Sequence, residues 1–263
     1  VVVAADVLRT AEQPLIVAGG GVHYSLAEAE LAAFAHRFGI PVMETVAGKS
    51  SLTADDEAFA GPIGVFAETD GQEIAWQPDV VLAVGTRLQD FTTESGTVFK
   101  NPDVRLVGLN IGRFDAQKRG GLPLIGDARE GLADLAEALG DWQGPAAWQE
   151  QARDSFARQE VVRRARQAAT SDVPPTYAQV IGAVHEVATA DDYIVTSSGG
   201  LAGELVMNWN SKGIATFDCE YGFSCMGYEI SGGWGAKMAM PDREVIVFVG
   251  DGSYMMMNSD LYS

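Results

Sequence analysis

The chain has 263 residues, of which 47% are apolar, and a formal net charge of -18 at pH 7. This excess of carboxylates argues against a nucleic-acid partner, because binding to phosphates depends on Lys and Arg. No apolar run approaches the roughly 20 residues that a membrane helix needs, and the N-terminal stretch lacks the basic start of a signal peptide. These features predict a cytoplasmic protein without a membrane partner, and the sequence reads as the interior of a longer chain.

The first 140 residues alternate short apolar runs with helical patterns, which is typical of a Rossmann-like parallel sheet covered on both faces. We predict strands at residues 15–18, 41–45, 80–84 and 104–109, each bounded by Gly, Pro, Asn or Asp. Ser25 is the predicted N-cap of a helix after the first strand, and another helix is predicted from Asp127 to Gly140. Residues 1–140 are therefore predicted to form one α/β domain.

Residues 141–175 differ in composition, since Gln, Arg and Glu dominate residues 149–167 and two prolines close the segment. We predict a linker with an exposed helix here. The alternation then restarts with a helix at 177–188, a strand at 193–196, a glycine-rich helix at 227–238 and a strand at 245–249. Residues 176–263 are predicted to be the first part of a second α/β domain, truncated at its end.

Two glycine-containing motifs in the first domain could suggest a nucleotide site. Gly19, Gly20 and Gly21 lie between a strand and a helix, where either a cofactor phosphate or a purely structural turn is compatible with the pattern. Gly48 precedes a Lys-Ser pair as in a P-loop, but Met43 stands where that motif requires its first glycine. The sequence also lacks a G-x-S-x-G motif and any His or Cys pair at zinc-ligand spacing.

The apolar strand at 245–249 runs into Gly250, Asp251, Gly252 and Ser253. This places the Asp251 carboxylate at the carboxyl end of a parallel sheet, where open α/β folds bind their ligands. Mg²⁺ takes oxygen ligands and commonly bridges a protein carboxylate to phosphate groups, while flanking glycines let a phosphate approach the backbone. The Ser253 hydroxyl and the N–H groups of the following helix could also face such a phosphate. The pattern alone is equally compatible with a plain Asp-Gly turn.

The segment GDGSYMMMNSDL, with EYGFSCMGYEISGGWGAKMA before it, resembles the diphosphate-binding domain of the thiamine-diphosphate enzymes related to acetohydroxyacid synthase. The segments PLIVAGGGV, GIPVMET and VGTRLQDF resemble the central domain of the same superfamily and occur in the expected order. The resemblance covers essentially the whole chain. It implies a Rossmann-like α/β central domain and the first part of a thiamine-diphosphate-binding α/β domain, with the N-terminal pyrimidine-binding domain absent.

Around the diphosphate of the cofactor, the resemblance implies one metal ligand and two glycine-rich turns. Asp251 would be the first Mg²⁺ ligand, and the family's second ligand, usually an Asn, would fall beyond Ser263. The residues beside the diphosphate would be those of the two turns, namely Ser198, Gly199, Gly200, Gly250, Gly252 and Ser253.

Around the cofactor rings, the resemblance implies contacts from a third segment. The backbone of Ser224 and Cys225 would meet the aminopyrimidine ring, and Met226 would prop the cofactor in its bent form. The catalytic Glu of the family belongs to the N-terminal domain, so no catalytic residue is expected in this chain. Three further side chains suit either the substrate side or folding, namely Glu220, Tyr221 and Phe223.

Within the family, the likeness is greatest to enzymes that open a cyclic 1,2-dione hydrolytically. This implies cleavage of a trihydroxycyclohexane-1,2-dione to 5-deoxy-glucuronate in myo-inositol degradation, with thiamine diphosphate and Mg²⁺ as cofactors and a homodimer or tetramer as the assembly. An acetolactate-forming carboligase or decarboxylase of 2-keto acids is one alternative, and a non-catalytic binding or assembly module is another. A flavin-containing dione hydrolase, with FAD near the glycines at 19–21 and Arg87, is a further alternative.

Overall fold

The computed structural model describes residues 1–67, 69–168 and 174–262 of the chain. These residues belong to two compact units, Val1–Glu160 and Val161–Ser263. The division between the units falls inside residues 141–175, the segment that the sequence predicts to be a linker. Among the helices of the described residues, none combines the length and the apolar character that crossing a membrane requires.

A sheet of six parallel strands forms the centre of the first unit. The strands are β1 (Pro14–Ala18), β2 (Val42–Glu44), β3 (Phe59–Pro62), β4 (Val80–Val84), β5 (Arg105–Asn110) and β6 (Leu122–Ile125). Their order is β3-β2-β1-β4-β5-β6, so the direction in which strands are added reverses between β1 and β4. The four predicted strands are confirmed as β1, β2, β4 and β5, whereas the sequence pattern does not predict the two edge strands.

Both faces of this sheet are covered. In β1, Ile16 and Ala18 belong to one apolar cluster, whereas Leu15 and Val17 belong to another. Alternate side chains of a strand point to opposite faces, so the two clusters lie on opposite sides of the sheet. All five β1 residues are buried. The Rossmann-like prediction for this unit is therefore confirmed.

Helices connect the strands of the first unit. They are α1 (Val2–Arg9), α2 (Gly21–Tyr24), α3 (Glu28–Phe38), α4 (Thr69–Trp76), α5 (Asp90–Thr93), α6 (Arg113–Ala116) and α7 (Ala128–Leu139), and short 3₁₀ turns cover Val46–Gly48, Glu94–Gly96 and Lys118–Gly120. The predicted helix from Asp127 is confirmed as α7, since the Asp127 side chain accepts a hydrogen bond from the Arg129 N–H at 2.9 Å. The predicted N-cap role of Ser25 is wrong, because α3 begins three residues later and the Ser25 hydroxyl donates to Asp127 at 2.7 Å.

The long helix α8 (Ala146–Gln167) lies in the predicted linker. The sequence predicts an exposed helix, but Trp148, Ala152, Ser155 and Gln159 are at most 4% exposed and follow one another at helical spacing. The Trp148 indole N–H also donates to the Pro14 carbonyl at 2.7 Å. Two of the four inward residues are polar, so the hydrophobic periodicity of the sequence does not reveal this buried face.

The second unit contains a parallel sheet of β7 (Tyr193–Thr196), β8 (Phe217–Cys219) and β9 (Val245–Val247) in the order β8-β7-β9. Its helices are α9 (Tyr177–Val187), α10 (Gly200–Asn208), α11 (Tyr228–Ala239) and α12 (Asp251–Met257), with a 3₁₀ turn at Asn258–Tyr262. The predicted elements correspond to α9, β7, α11 and β9. A capping box between Thr176 and Gln179 explains why α9 begins where it does.

Candidate cofactor site

Three loops leave the second sheet at the same edge. Because β7, β8 and β9 are parallel, the segments that follow them all start at the carboxyl edge of the sheet, where open α/β folds bind ligands. The loop after β7 contains Ser198, Gly199 and Gly200, the loop after β8 contains Ser224, Cys225 and Met226, and the loop after β9 contains Gly250 to Ser253. The fold therefore brings the three predicted groups of site residues to one edge.

The loop after β7 leaves open space in front of its glycines. Gly199 has φ +90°, and a Cβ atom built on it would meet no atom within 4 Å, while one on Gly200 would lie 3.9 Å from the Tyr177 ring. An open groove of about 670 Å³ adjoins this turn and is lined in part by Arg166, Tyr177 and Glu204. The Ser198 hydroxyl is buried and has no hydrogen-bond partner among the described residues. Buried hydroxyls are normally paired, so this group is available to a ligand.

The loop after β8 is held by two side chains. The Ser197 hydroxyl, which is fully buried, donates to the Cys225 carbonyl at 2.7 Å. The Glu220 carboxylate accepts the N–H groups of Phe223 at 2.9 Å and Cys225 at 2.6 Å. Desolvation opposes ionisation of Glu220, but these backbone donors outweigh it and lower the pKa of its carboxyl group. Glu220 is therefore an ionised structural acceptor in this loop.

The loop after β9 exposes a carboxylate. The Asp251 side chain is exposed, and its Oδ1 accepts the Gly252 N–H at 2.9 Å. Within the described ranges, no Lys or Arg side chain forms an ion pair with Asp251. By contrast, Ser253 is 2% exposed, so only a ligand deep in the turn would reach its hydroxyl. The negative charge of Asp251 is thus free to bind a cation.

The second and third loops are packed against each other. A Cβ atom on Gly252 would lie 3.5 Å from the Met226 Cε atom, so Met226 lies over the turn that carries Asp251. At Gly227, which has φ +101°, a Cβ atom would lie 2.1 Å from Met257 Cγ. Only glycine allows α12 to pack this closely onto the second loop. The position of the Asp251 turn therefore depends on Gly227.

The charges around this edge are unsuited to a diphosphate unless a cation is present. The segments 197–200, 220–227 and 248–253 contain no Lys or Arg. A diphosphate here would need its charge neutralised by a metal ion, for which Asp251 provides an oxygen ligand. The residues present thus fit a Mg²⁺-bridged diphosphate, with Ser198 and the open glycine turns beside it. Among the residues that the structure describes, no cluster of three or more His, Cys, Asp or Glu could hold a metal ion.

The two thiols near the site are not activated. Desolvation, followed by the negative charges of Asp218, Glu220 and Glu229, raises the pKa of the Cys219 thiol to about 12. Desolvation and the Glu220 carboxylate also raise the pKa of Cys225. Because the thiolate is the nucleophilic form, neither cysteine is suited to nucleophilic chemistry at neutral pH.

In the first unit, the glycines at 19–21 have a structural explanation. A Cβ atom on Gly19 would lie 2.5 Å from the Thr86 side chain, and one on Gly21 would lie 2.5 Å from the Gly85 Cα atom. The turns after β1 and β4 thus touch at the point where strand order reverses. This close approach requires glycine whether or not a nucleotide binds nearby, so the nucleotide contact stays a prediction.

Sequence reasoning does not identify Ser197 as part of the site. In the run Thr196-Ser197-Ser198, the two serines are chemically identical, but one hydroxyl is paired with the Cys225 carbonyl and the other has no partner among the described residues. Only the direction of each side chain at the end of β7 separates these roles. No signal in a single sequence would have distinguished them.

Comparison with known families agrees with this geometry. The family described as thiamine pyrophosphate enzyme, central domain, matches residues 1–135, and the C-terminal TPP binding domain of such enzymes matches residues 200–263. The second match contains the loops after β8 and β9. The chain therefore belongs to the thiamine pyrophosphate enzyme family.

Among its relatives are proteins named 3D-(3,5/4)-trihydroxycyclohexane-1,2-dione hydrolase. That of Clostridium botulinum (strain Alaska E43 / Type E3) is 36% identical over 97% of this chain and 43% of the relative. That of Geobacillus thermodenitrificans is 37% identical over 98% of the chain and 43% of the relative, and that of Bacillus cereus (strain AH820) is 35% identical over 98% and 44%. The chain thus spans less than half the length of these relatives.

Proposed function

We propose that the full-length protein uses thiamine diphosphate and Mg²⁺ to hydrolyse the C–C bond between the two carbonyl groups of a cyclic 1,2-dione. The proposed substrate is the trihydroxycyclohexane-1,2-dione that its relatives are named for, and the proposed product is 5-deoxy-glucuronate, as in myo-inositol degradation. One observation carries the proposal: three loops at one sheet edge combine an exposed carboxylate, an unpaired buried hydroxyl and open glycine turns.

Each loop has its own task in this proposal. The Asp251 carboxylate holds Mg²⁺, and the turns at Ser198 to Gly200 and Gly250 to Ser253 surround the diphosphate. The Ser224 backbone would meet the aminopyrimidine ring, whereas both backbone polar groups of Cys225 are already hydrogen-bonded within the protein, and the Met226 side chain would support the cofactor. When bound, thiamine diphosphate supplies a nucleophilic carbon that attacks a substrate carbonyl. The residues described here bind and orient it.

Product analysis of the full-length protein tests the proposed reaction. With thiamine diphosphate and Mg²⁺ present, the trihydroxycyclohexane-1,2-dione should be converted to an open-chain acid without loss of carbon. Release of carbon dioxide from pyruvate, without any ring-opened acid from the dione, would instead identify a 2-keto acid decarboxylase or carboligase. Cofactor binding without turnover of either substrate would favour a non-catalytic module.

Replacing Ser198 with alanine should separate cofactor binding from stability. The Ser198 hydroxyl is buried without a partner among the described residues, so its removal should leave stability unchanged or raise it by up to about 1 kcal/mol. The affinity for thiamine diphosphate should fall roughly fivefold to tenfold, because the diphosphate loses a donor. Thermal unfolding without cofactor and equilibrium titration with it measure the two quantities.

The matched control for Ser198 is Ser211, whose hydroxyl is also buried without a partner in the described part of the chain. Ser211 lies after α10 and outside the three loops. Ser211→Ala should therefore have a similar effect on stability and no effect on cofactor affinity. Equal affinities for both variants and the wild type would remove Ser198 from the site.

Three further parts of the proposal concern the whole protein. We propose a cytoplasmic homodimer or tetramer, and light scattering of the purified full-length protein measures its mass in solution. A flavin near the glycines at 19–21 and Arg87 remains the alternative for the first unit. The visible absorbance of the purified protein tests it, because a bound flavin colours a protein yellow.

A further inference from the structure

Both backbone polar groups of Cys225 are bound by side chains from neighbouring strand ends. Its N–H donates to Glu220 Oε2 at 2.6 Å, and its carbonyl accepts the Ser197 hydroxyl at 2.7 Å. The same carbonyl also accepts the Tyr228 N–H at 3.2 Å. Cys225 itself therefore offers no free backbone group to a ligand, and the orientation of its two peptide planes is fixed from both sides.

A planar trans peptide carries this constraint to the neighbouring residues. In such a peptide the carbonyl of one residue points opposite to the N–H of the next. Fixing the Cys225 N–H toward Glu220 thus directs the Ser224 carbonyl away from Glu220, and fixing the Cys225 carbonyl toward Ser197 directs the Met226 N–H away from Ser197. In the described part of the chain, neither the Ser224 carbonyl nor the Met226 N–H has a hydrogen-bond partner.

The conformation of this loop needs such support. Ser224 has φ +54°, a left-handed conformation that is unfavourable for a residue with a side chain. The Glu220 carboxylate accepts the N–H groups on both sides of Ser224, since its Oε1 binds Phe223 and its Oε2 binds Cys225. Glu220 thereby holds Ser224 in a conformation that the isolated loop would rarely adopt.

We propose that Glu220 and Ser197 are positioning residues that present the Ser224 carbonyl and the Met226 N–H as an acceptor and donor pair for an aminopyrimidine ring. An aminopyrimidine carries an amino donor next to a ring nitrogen acceptor, which is the complementary pattern. This inference rests on the proposed function, and it assigns Glu220 a role in holding the loop. Both Glu220 oxygens already bind backbone N–H groups, so this side chain acts through the Ser224 carbonyl, whereas Ser197 acts through the Met226 N–H.

The test compares two ligands on the full-length protein at saturating Mg²⁺. One is thiamine diphosphate, and the other is oxythiamine diphosphate, in which an oxygen replaces the amino group and reverses the donor and acceptor pattern. The variants are Glu220→Gln, which keeps the size of the side chain but replaces one acceptor oxygen by an NH₂ group, and Ser197→Ala, which removes the hydroxyl donor. Glu186→Gln on the exposed side of α9 and Ser231→Ala on the exposed side of α11 are controls.

In each positioning variant, the affinity for thiamine diphosphate should fall roughly tenfold, as expected for one charge-assisted or buried hydrogen bond. The affinity for oxythiamine diphosphate should change less than about threefold, because the wild-type loop already presents the wrong pattern to it. The ratio of the two dissociation constants should therefore fall in both variants and stay at the wild-type value in both controls. The two variants act from opposite sides of Cys225, so one of them still tests the inference if the other fails to fold.

Equal losses for the two ligands would show a general structural role and overturn the inference, as would unchanged affinities. Suppose that wild type binds thiamine diphosphate and Asp251→Ala abolishes this binding, but the ratio is unchanged in the positioning variants. In that case the inference fails and the proposed function stands. If wild type binds neither ligand, the proposed function fails and the inference fails with it.

Discussion

Replacing Asp251 with alanine should lower the affinity of the full-length protein for thiamine diphosphate at least about 100-fold in the presence of Mg²⁺. The three loops of the site contain no Lys or Arg, so within these loops the proposed metal ion would supply the positive charge that the diphosphate needs. Asp251 is exposed, begins α12 and has no ion-pair partner among the described residues. Without it, this chain loses its assigned metal ligand.

The measurement is a titration with thiamine diphosphate at several Mg²⁺ concentrations. Wild-type affinity should rise with Mg²⁺, whereas the residual affinity of Asp251→Ala should depend little on it. Asp251→Asn keeps the shape and one ligand oxygen but loses the charge, so its affinity should lie between the two. This order would separate loss of the charge from loss of the whole side chain.

Asp242→Asn is the matched control for this experiment. Asp242 is exposed and precedes β9, so it lies toward the amino end of the strand whose carboxyl end leads to Asp251. Its replacement changes the net charge by the same amount without touching the site, and cofactor affinity should remain within about twofold of wild type. If Asp251→Ala binds as tightly as Asp242→Asn, Asp251 is not a metal ligand.

The strands that the sequence predicts are those with continuous apolar runs. The strands that it does not predict are β3, β6 and β8, each at an edge of its sheet. Edge strands have fewer neighbours and tolerate Pro, Gly and polar residues, as in Phe59–Pro62, Leu122–Ile125 and Phe217–Cys219. Their short, mixed sequences therefore carry no periodic signal.

Contacts between distant residues explain the other differences. Ser25 looks like an N-cap in the sequence, but its hydroxyl binds Asp127, which is 102 residues away. The family resemblance predicts the site residues, whereas spacing alone is compatible with either a metal ligand or a bend at Asp251. Ser197 and Glu220 form hydrogen bonds with the loop after β8 because β7 and β8 lie side by side. One sequence does not predict this alignment, and so it does not predict these hydrogen bonds.

Replacing Glu44 with glutamine should make the first unit less stable than wild type at low pH, because the amide NH₂ cannot accept one of the two backbone N–H groups, and this difference should shift in favour of the variant as the pH rises. Glu44 ends β2, is 2% exposed, and accepts the N–H groups of Ser50 at 3.2 Å and Leu52 at 2.8 Å. Desolvation raises the pKa of its carboxyl group from 4.5 to about 7, although the nearby charges of Lys49 and His23 and the two backbone donors lower it. The nearby charges and backbone donors thus offset only part of the cost of burying the ionised carboxylate.

The sign of the pH effect follows from the raised pKa. Below 4.5 the carboxyl group is protonated in both the folded and the unfolded chain, so its contribution to stability is fully present. Between 4.5 and about 7 the unfolded chain releases the proton that the folded chain retains, and stability falls as the pH rises. The shift corresponds to about 3 kcal/mol, at about 1.4 kcal/mol for each pH unit. Glutamine does not titrate, so Glu44→Gln lacks this loss.

Amide hydrogen exchange of β1 and β4 measures the difference within the intact protein. At equal pH the intrinsic exchange rates of wild type and variant are the same, so the ratio of observed rates reports the difference in opening free energy. Between about pH 4 and about pH 8, exchange in wild type should become roughly 100-fold faster relative to Glu44→Gln. Glu57→Gln, an exposed substitution in the neighbouring loop, is the control and should shift the ratio less than about threefold. If the ratio of exchange rates for Glu44→Gln does not change with pH, the pKa of Glu44 is the same in the folded and the unfolded protein. That outcome would contradict the raised pKa.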